Sequence, residues 1–329
     1  MAIRLLWLQS GGCGGCTLSL LCAEQPDCFT ALDNLGIELC YHPSLTSVSG
    51  SATEALFLHH IEHGLDILCV EGAAMLGGEG RFHVSGPQQH PFHHWITALA
   101  HQARYVVAVG TCAAYGGITA AGDNLTGATG LAYADYHAGG LLGAAFVSQA
   151  GLPVINLAGC PTHPNWVLET LGLLAHDALT ASDLDPIGRP RFYADKLVHH
   201  GCDKNEFYEF KASAESVGQQ GCLMEFVGCK GTQAHADCNI RPWNGEGSCL
   251  TAGYPCINCT APDFANPGHG FFETPKVAGF PVGLPTDMPK AWFVALSTLS
   301  KSATPPRVKH NATADRLITP PSLPQKSKT

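Results

Sequence analysis

Cysteines dominate the stretch between His199 and Cys259 of this 329-residue chain. So many thiols exceed the needs of a hydrophobic core, and we interpret them as metal ligands or disulfides. Only Cys256 and Cys259 form the C-x2-C pair that is typical of zinc sites. Widely spaced thiolates with an occasional histidine, here His199 three residues before Cys202, favour iron-sulfur clusters over structural zinc or free thiols. The cysteines of this stretch are Cys202, Cys222, Cys229, Cys238, Cys249, Cys256 and Cys259.

The first half of the chain has the pattern of an open, mostly parallel α/β sheet. Short apolar runs that predict strands occupy residues 3–8, 37–41, 67–70, 105–109 and 154–157. Longer stretches with helical character, such as 52–62 and 166–176, lie between some of them. Such sheets bind ligands beyond the carboxyl ends of their strands, so the residues that follow each run are candidates for a site.

Four further cysteines follow three of these predicted strands. Cys13 and Cys16 lie in a glycine-rich loop after the first strand, Cys112 follows the fourth and Cys160 follows the fifth. Because these strand ends meet at one edge of the sheet, we expect the four thiols to form a cluster cage. The loop lacks both G-x-G-x-x-G and a Walker Gly-Lys-Ser/Thr, which disfavours the alternative of a phosphate or dinucleotide site.

Composition limits the other classes of function. The formal net charge of −9 argues against nucleic-acid binding, and no apolar run approaches the roughly 20 residues that span a bilayer. Hydrophobic content of 45% with only 14% charged residues indicates surface that is buried against a partner. The first residues have none of the features of a secretory signal, so we expect a cytoplasmic protein with reduced thiols and no membrane anchor of its own.

A proline-punctuated linker at residues 184–191 predicts a domain boundary. We expect domains at residues 1–185 and 186–275, followed by an irregular C-terminal extension at residues 276–329. The second domain has few long apolar runs, so bound clusters would replace part of its core.

Taken together, the motifs resemble the small, electron-transferring subunit of nickel-iron hydrogenases, from about residue 3 to about residue 275. The matching segments are LWLQSGGCGGC at 6–16, VEG at 70–72, VGTCAAYGG at 109–117, GCPTHPNW at 159–166 and ADCNIRPWN at 236–244.

The resemblance implies a flavodoxin-like first domain and a loop-rich iron-sulfur second domain, with three clusters in a linear relay. It also implies an obligate large subunit that holds the nickel-iron centre, so this chain would carry electrons and not split hydrogen itself. Glu71 matches a position near the proximal cluster, where a carboxylate could assist proton movement, tune the cluster or make a structural hydrogen bond. The implied ligand sets are proximal Cys13, Cys16, Cys112 and Cys160; distal His199, Cys202, Cys222 and Cys229; and medial Cys238, Cys249, Cys256 and Cys259.

Three departures refine this expectation. Many members of the family have proline where this chain has Cys249, which leaves their medial cluster with three irons, so Cys249 predicts a four-iron cluster here. The extra proximal cysteines of oxygen-tolerant, membrane-bound members correspond to Gly15 and Gly117, which excludes their six-cysteine cluster. Neither a twin-arginine signal nor a carboxyl-terminal membrane helix is found, and the chain resembles the soluble uptake type, with likeness to the actinobacterial-type, high-affinity branch.

The sequence thus predicts the small subunit of a hydrogenase that relays electrons from hydrogen oxidation through three four-iron clusters to an external acceptor. A three-iron medial cluster is the alternative for that site. We also expect two heterodimers to pair. An iron-sulfur subunit of a related quinone- or coenzyme-reducing complex is the alternative function, and the complete region from His199 to Cys259 argues against it.

Overall fold

A computed structural model of the chain describes residues 2–134, 137–286 and 288–315. Its centre is a sheet of five parallel strands in the spatial order β5-β4-β3-β1-β2. The predicted α/β class is therefore confirmed. The strands of this sheet are β1 (Ile3–Gln9), β2 (Ile37–Tyr41), β3 (Leu65–Glu71), β4 (Ala103–Val109) and β5 (Ile155–Leu157).

The sheet is covered on both faces, which explains why its strands are almost continuously apolar. Alternate residues of β1 point to opposite faces: Leu5 and Trp7 join one core, and Leu6 and Leu8 join the other. The first core includes Trp166, and the second includes Ile96. Because β5, β4, β3 and β1 are parallel neighbours in the sheet, their carboxyl ends lie side by side at one edge.

The rest of the described chain contains helices, short strands and loops. Two-residue strands pair as Ala74–Met75 with Ala128–Thr129, Val84–Ser85 with His90–Pro91, Tyr133–Ala134 with His137–Ala138, and Lys276–Val277 with Phe280–Pro281. Three 3-10 helices occupy Gly77–Gly80, Ala181–Asp183 and Val198–Gly201. The α-helices are α1 (Gly15–Leu21), α2 (Cys28–Asn34), α3 (Ser51–His63), α4 (Phe92–Gln102), α5 (Thr111–Tyr115), α6 (Gly117–Ala120), α7 (Pro164–Ala175), α8 (Arg191–Ala194), α9 (Asn205–Glu209), α10 (Lys290–Ala303) and α11 (Pro306–Ala312).

The region after α7 is rich in loops, as predicted, but it shares a core with the sheet. Leu223, Val227 and Leu250 belong to the same buried cluster as Trp7 and Trp166. The loops of the second half therefore pack directly on one face of the first half. The domain boundaries near residues 185 and 275 stay a prediction.

The prediction of an irregular C-terminal extension is wrong for most of its described residues. Helices α10 and α11 lie there, because Phe293 and Ser297 form a buried face on α10 and Pro306 occupies the first turn of α11. The hydroxyl of Thr304, between the two helices, donates to the carbonyl of Phe210 at 2.6 Å. Residues 316–329 lie outside the described residues.

None of the helices in the described part of the chain has the length and apolar content needed to cross a bilayer.

Candidate metal centres

The cysteines predicted for the proximal cluster all lie at the carboxyl edge of the sheet. Cys13 lies in the loop after β1 and Cys16 in the first turn of α1. Cys112 lies in α5, directly after β4, and Cys160 follows β5. Parallel strands bring these separate segments to one place, so the arrangement follows from the sheet topology.

Electrostatic coupling indicates that the four sulfur atoms are neighbours. Burial and, to a smaller extent, the charges of the Cys112, Cys259 and Cys13 thiolates raise the pKa of Cys160 to about 12. Burial also raises the pKa of Cys16, and the charges of Glu71, Cys112 and Cys160 add to this effect. Without a cation these thiols would hold their protons, and bound iron would favour the thiolates instead.

Glycines leave the space around these sulfur atoms open. A Cβ atom at Gly110 would lie 2.4 Å from Cys16 Sγ, and one at Gly117 would lie 3.1 Å from Cys112 Sγ. Gly117 and Gly110 also have positive φ angles, which disfavour other residues. The four segments therefore supply the donor type that an iron-sulfur cluster requires, and glycine at positions 110 and 117 keeps side-chain atoms away from two of the sulfur atoms.

Glu71 is the buried centre of a hydrogen-bond network behind this cage. Its Oε1 accepts from the backbone amides of Cys16 at 3.0 Å and Thr17 at 3.1 Å. Its Oε2 accepts from Trp7 Nε1 and Gln9 Nε2, each at 3.1 Å, and from the Thr17 hydroxyl. Of the roles expected for Glu71, the structural hydrogen bond is present. Because the carboxylate accepts from two amides in the first turn of α1, it holds the start of this helix and the loop of Cys16 in place.

The residues predicted for the distal cluster surround one cavity. His199, Cys202, Cys222 and Cys229 all line it, and its volume is about 20 Å³. Burial, with a contribution from the Cys229 thiolate, raises the pKa of Cys222 to about 12 and that of Cys202 to about 11. His199 lines this cavity and the neighbouring His200 does not; the Nδ1 atom of His200 accepts a hydrogen bond from the backbone amide of Leu197 at 3.2 Å.

The cysteines predicted for the medial cluster are also electrostatic neighbours. Burial raises the pKa of Cys238, with contributions from the charges of Cys259, Asp237 and Cys249. Burial raises the pKa of Cys256 as well, and both Cys259 and Cys238 contribute. The charge of Cys249, an exposed residue, contributes to the raised pKa of Cys238 and of Cys259, and also to that of Cys229, which is predicted for the distal set.

The donor sets do not have the shape of a single-ion site. Within residues 2–134, 137–286 and 288–315, no group of three or more His, Cys, Asp or Glu side chains could hold one metal ion. Structural zinc requires four ligands within about 2.3 Å of one ion. A cluster of several irons is larger than one zinc ion, and its ligands stand at separate corners.

Short contacts connect the sets to one another. The hydroxyl of Thr111 donates to the carbonyl of Cys259 at 2.5 Å and accepts from the amide of Gly159 at 2.8 Å. It therefore joins the proximal edge to the medial set. On the other side, the amide of Lys230, next to Cys229, donates to the carbonyl of Cys256 at 2.8 Å and joins the medial set to the distal one.

Sequence reasoning missed two supporting groups. Thr111 carries no signal except its place before Cys112. Trp166 Nε1 donates to Asp237 Oδ1 at 2.7 Å, and the Trp166 ring stacks on Tyr193 with centroids 4.0 Å apart. Asp237 precedes Cys238, so this bond anchors the medial loop on α7.

Two family models match most of the chain. Residues 13–174 match the family described as NADH ubiquinone oxidoreductase, 20 Kd subunit, and residues 194–272 match the family described as the C-terminal part of the NiFe/NiFeSe hydrogenase small subunit. The F420 non-reducing hydrogenase II small subunit of Methanosarcina mazei is 37% identical over 287 residues, which cover 79% of this chain and 73% of that protein.

A further relative in sequence and one solved structure support the same family. The periplasmic NiFeSe hydrogenase small subunit of Desulfomicrobium baculatum is 33% identical over 285 residues, covering 82% of this chain and 86% of that protein. The actinobacterial-type NiFe-hydrogenase from Ralstonia eutropha H16 superposes with a TM-score of 0.75 at 30% identity, covering 98% of this chain and 95% of the compared chain. The chain therefore belongs to the small subunits of nickel-iron hydrogenases, the iron-sulfur, electron-transferring subunits of enzymes whose active site lies on the large subunit.

Proposed function

We propose that this small subunit relays electrons from hydrogen oxidation in its large subunit through three iron-sulfur clusters to an external acceptor. The observation that carries the proposal is the continuity of the three ligand sets. Thr111 bridges the proximal and medial sets, and the segment of Cys229 bridges the medial and distal sets. Bound clusters would supply one-electron redox chemistry, and the chain would fix their order and spacing.

Each of the three sets offers four ligands, and this supports three four-iron clusters. The medial set depends on Cys249, since without that thiol only Cys238, Cys256 and Cys259 would remain for a three-iron cluster. The electrostatic coupling of Cys249 with Cys238 and Cys259 favours the four-iron type.

An obligate large subunit is proposed to cover the proximal edge. Apolar side chains are exposed around the Cys13 loop, including Leu18 on α1 at 63% and Ile118 on α6 at 56%. Such a surface next to a cluster that must receive electrons suits a permanent interface. Pairing of two heterodimers and a cytoplasmic location stay proposals.

The proposed function is tested by isolating the complex from cell extract through a tag on this chain. We expect the large subunit to co-purify, with nickel and about twelve cluster irons per small subunit. We also expect dye reduction that depends on hydrogen and follows the complex through purification.

A Cys160→Ser variant, which removes a proximal ligand, should lose hydrogen-dependent dye reduction, while Cys22→Ser, at an exposed thiol outside the three sets, should retain it. Iron without nickel and without hydrogen-dependent activity would instead support the related quinone- or coenzyme-linked subunit. Zinc without iron would contradict both.

A further inference from the structure

A second cavity lies beside the distal site, and most of its lining residues lie outside the predicted ligand sets. Its volume is about 190 Å³, and one predicted distal ligand, Cys222, lies in its wall. One side of the cavity is formed by α9 and the loops around it. The other side is formed by α10 and by the hairpin in which Lys276–Val277 pairs with Phe280–Pro281. The C-terminal segment therefore completes it.

The two cavities share a wall. Tyr208, Cys222 and Met224 line both of them. Cys222 is a predicted distal ligand, and the centroid of the Tyr208 ring lies 4.4 Å from that of His199, another predicted ligand. A molecule in the second cavity would be separated from the distal site by single side chains, and electron transfer requires such closeness because its rate falls steeply with distance.

The walls of the cavity combine flat apolar surface with two lysines, Lys211 and Lys301, and the second of these pairs with Glu225. The ammonium group of Lys211 lies 3.6 Å from the centroid of the Tyr208 ring and 4.9 Å from that of Phe293. In the described part of the chain this ammonium forms no salt bridge with a carboxylate. By contrast, the carboxylate of Glu225 is held by Lys301 and by the hydroxyl of Ser213.

The surroundings of the cavity favour an apolar carrier over a nucleotide. Helix α10 forms one wall through Phe293, Ser297 and Thr298, and elsewhere on its surface it exposes Trp292, Leu296 and Leu299. A dinucleotide would need a glycine-rich turn before a long helix for its phosphates, and none of the lining residues forms one. Aromatic walls with a cationic donor suit a flat ring that bears carbonyl oxygens.

We propose that this cavity, between the distal site and α10, binds a quinone as the electron acceptor of the complex. The proposal rests on the relay function proposed above and names its acceptor class. Two electrons from one hydrogen molecule would reach the quinone, and its two carbonyl oxygens would take up two protons to give the quinol. Lys211 would donate a hydrogen bond to one carbonyl oxygen as negative charge builds there, and the carboxyl group of Glu225 would pass solvent protons.

Binding of 2-methyl-1,4-naphthoquinone to the purified, anaerobic complex tests the proposal directly by calorimetry. Lys211→Met removes the charge and keeps most of the apolar stem, and we expect its Kd to rise about tenfold, as for loss of one hydrogen bond to a charged group. Thr298→Phe, on the exposed side of α10, should fill part of the cavity and weaken binding by at least as much.

The matched control is Lys276→Met. The ammonium of Lys276 also lies over a ring, 4.0 Å from the centroid of Phe226, but this lysine does not line the cavity. We expect its Kd for the naphthoquinone to equal that of the wild type. The ratio of quinone reduction to dye reduction should fall in Lys211→Met and stay constant in Lys276→Met.

Equal affinity in all variants, no binding to the wild type, or tight binding of flavin mononucleotide in place of the naphthoquinone would each overturn the quinone site. These outcomes are independent of the relay. Failure of the relay would be seen as absence of hydrogen-dependent dye reduction in the wild type, and the calorimetric titration does not require that activity.

Discussion

Replacing Glu71 with glutamine tests whether this carboxylate builds the proximal cage. The side chain is 4% exposed, and its two oxygens accept five hydrogen bonds, two of them from the backbone amides of Cys16 and Thr17. Glutamine has nearly the same shape, but one of its two terminal atoms is an NH2 donor. Whichever way the amide turns, this donor faces at least two other donors.

The magnitude follows from those contacts. A hydrogen bond to a charged group contributes about 1.5–3 kcal/mol, and a buried donor without a partner costs about 1–3 kcal/mol. Two such bonds are lost and the others lose their charge, while relaxation of the loop offsets part of the cost. We expect the free energy of unfolding to fall by about 3 kcal/mol, and the loop of Cys16 to loosen.

Two assays on the purified complex measure this effect. The thermal midpoint should fall by at least about 5 °C, and the iron content should fall because the proximal ligands are no longer fixed. Glu38→Gln, on an exposed position of β2, is the control for loss of a carboxylate. Wild-type iron content and thermal midpoint in Glu71→Gln would refute a structural role and would favour proton transfer or tuning of the cluster.

Three further changes probe other parts of the site. Cys249→Ser should lower the iron content from about twelve to about eleven per small subunit and introduce the electron paramagnetic resonance signal of a three-iron cluster, whereas an unchanged spectrum would contradict ligation by Cys249. Thr111→Val leaves the carbonyl of Cys259 and the amide of Gly159 without their partner. The free energy of unfolding should therefore fall by about 2–4 kcal/mol, which is measured as a lower thermal midpoint. Thr111→Ser keeps the hydroxyl and should restore the midpoint. Burial lowers the pKa of His163 to about 4, below the value of about 6.5 in unfolded chains, so the unfolded state binds more protons between these values. Stability should therefore fall by about 2 kcal/mol from pH 7 to pH 5, and a His163→Gln variant that keeps the same pH dependence would contradict this assignment.

The sheet could be predicted because its strands are buried on both faces. Such strands are almost continuous apolar runs, and each of the five runs in the sequence became a strand. For β3, the predicted strand was too short, because charged residues continue the strand at both of its ends. Asp66 and Glu71 extend β3 beyond its apolar run, Asp66 because it pairs with Arg4 on the neighbouring strand at 3.2 Å, and Glu71 because buried donors surround it.

The second half could not be predicted in the same way. Spacing predicted that its thiols are ligands, but it could not say which thiols share a cluster, because loops have no periodicity that fixes their path. The division into medial and distal sets came from the family resemblance. In the structure it depends on contacts between distant loops, such as the bond from the amide of Lys230 to the carbonyl of Cys256.

The C-terminal helices were missed because composition was given more weight than periodicity. Proline, lysine and serine suggested an irregular chain, yet Phe293 and Ser297 are spaced for one helical face, and both are buried. The outward positions Trp292, Leu296 and Leu299 repeat at similar intervals. A helix that carries apolar side chains on both its buried and its exposed face lacks the polar–apolar alternation by which a helix is recognised in a short sequence window.

The contacts at Thr111 explain why the two halves of the chain form one functional unit. Thr111 directly precedes Cys112, a predicted proximal ligand, and its hydroxyl bonds the carbonyl of Cys259, a predicted medial ligand. The spacing between two clusters would then be set by one side chain and one peptide group, with little freedom to vary. Because electron transfer depends steeply on distance, a link of this kind preserves the rate of the relay even where the surrounding loops move. The predicted boundary near residue 185 separates the two halves along the chain, and the proposed electron path would cross it at the hydrogen bond between Thr111 and Cys259.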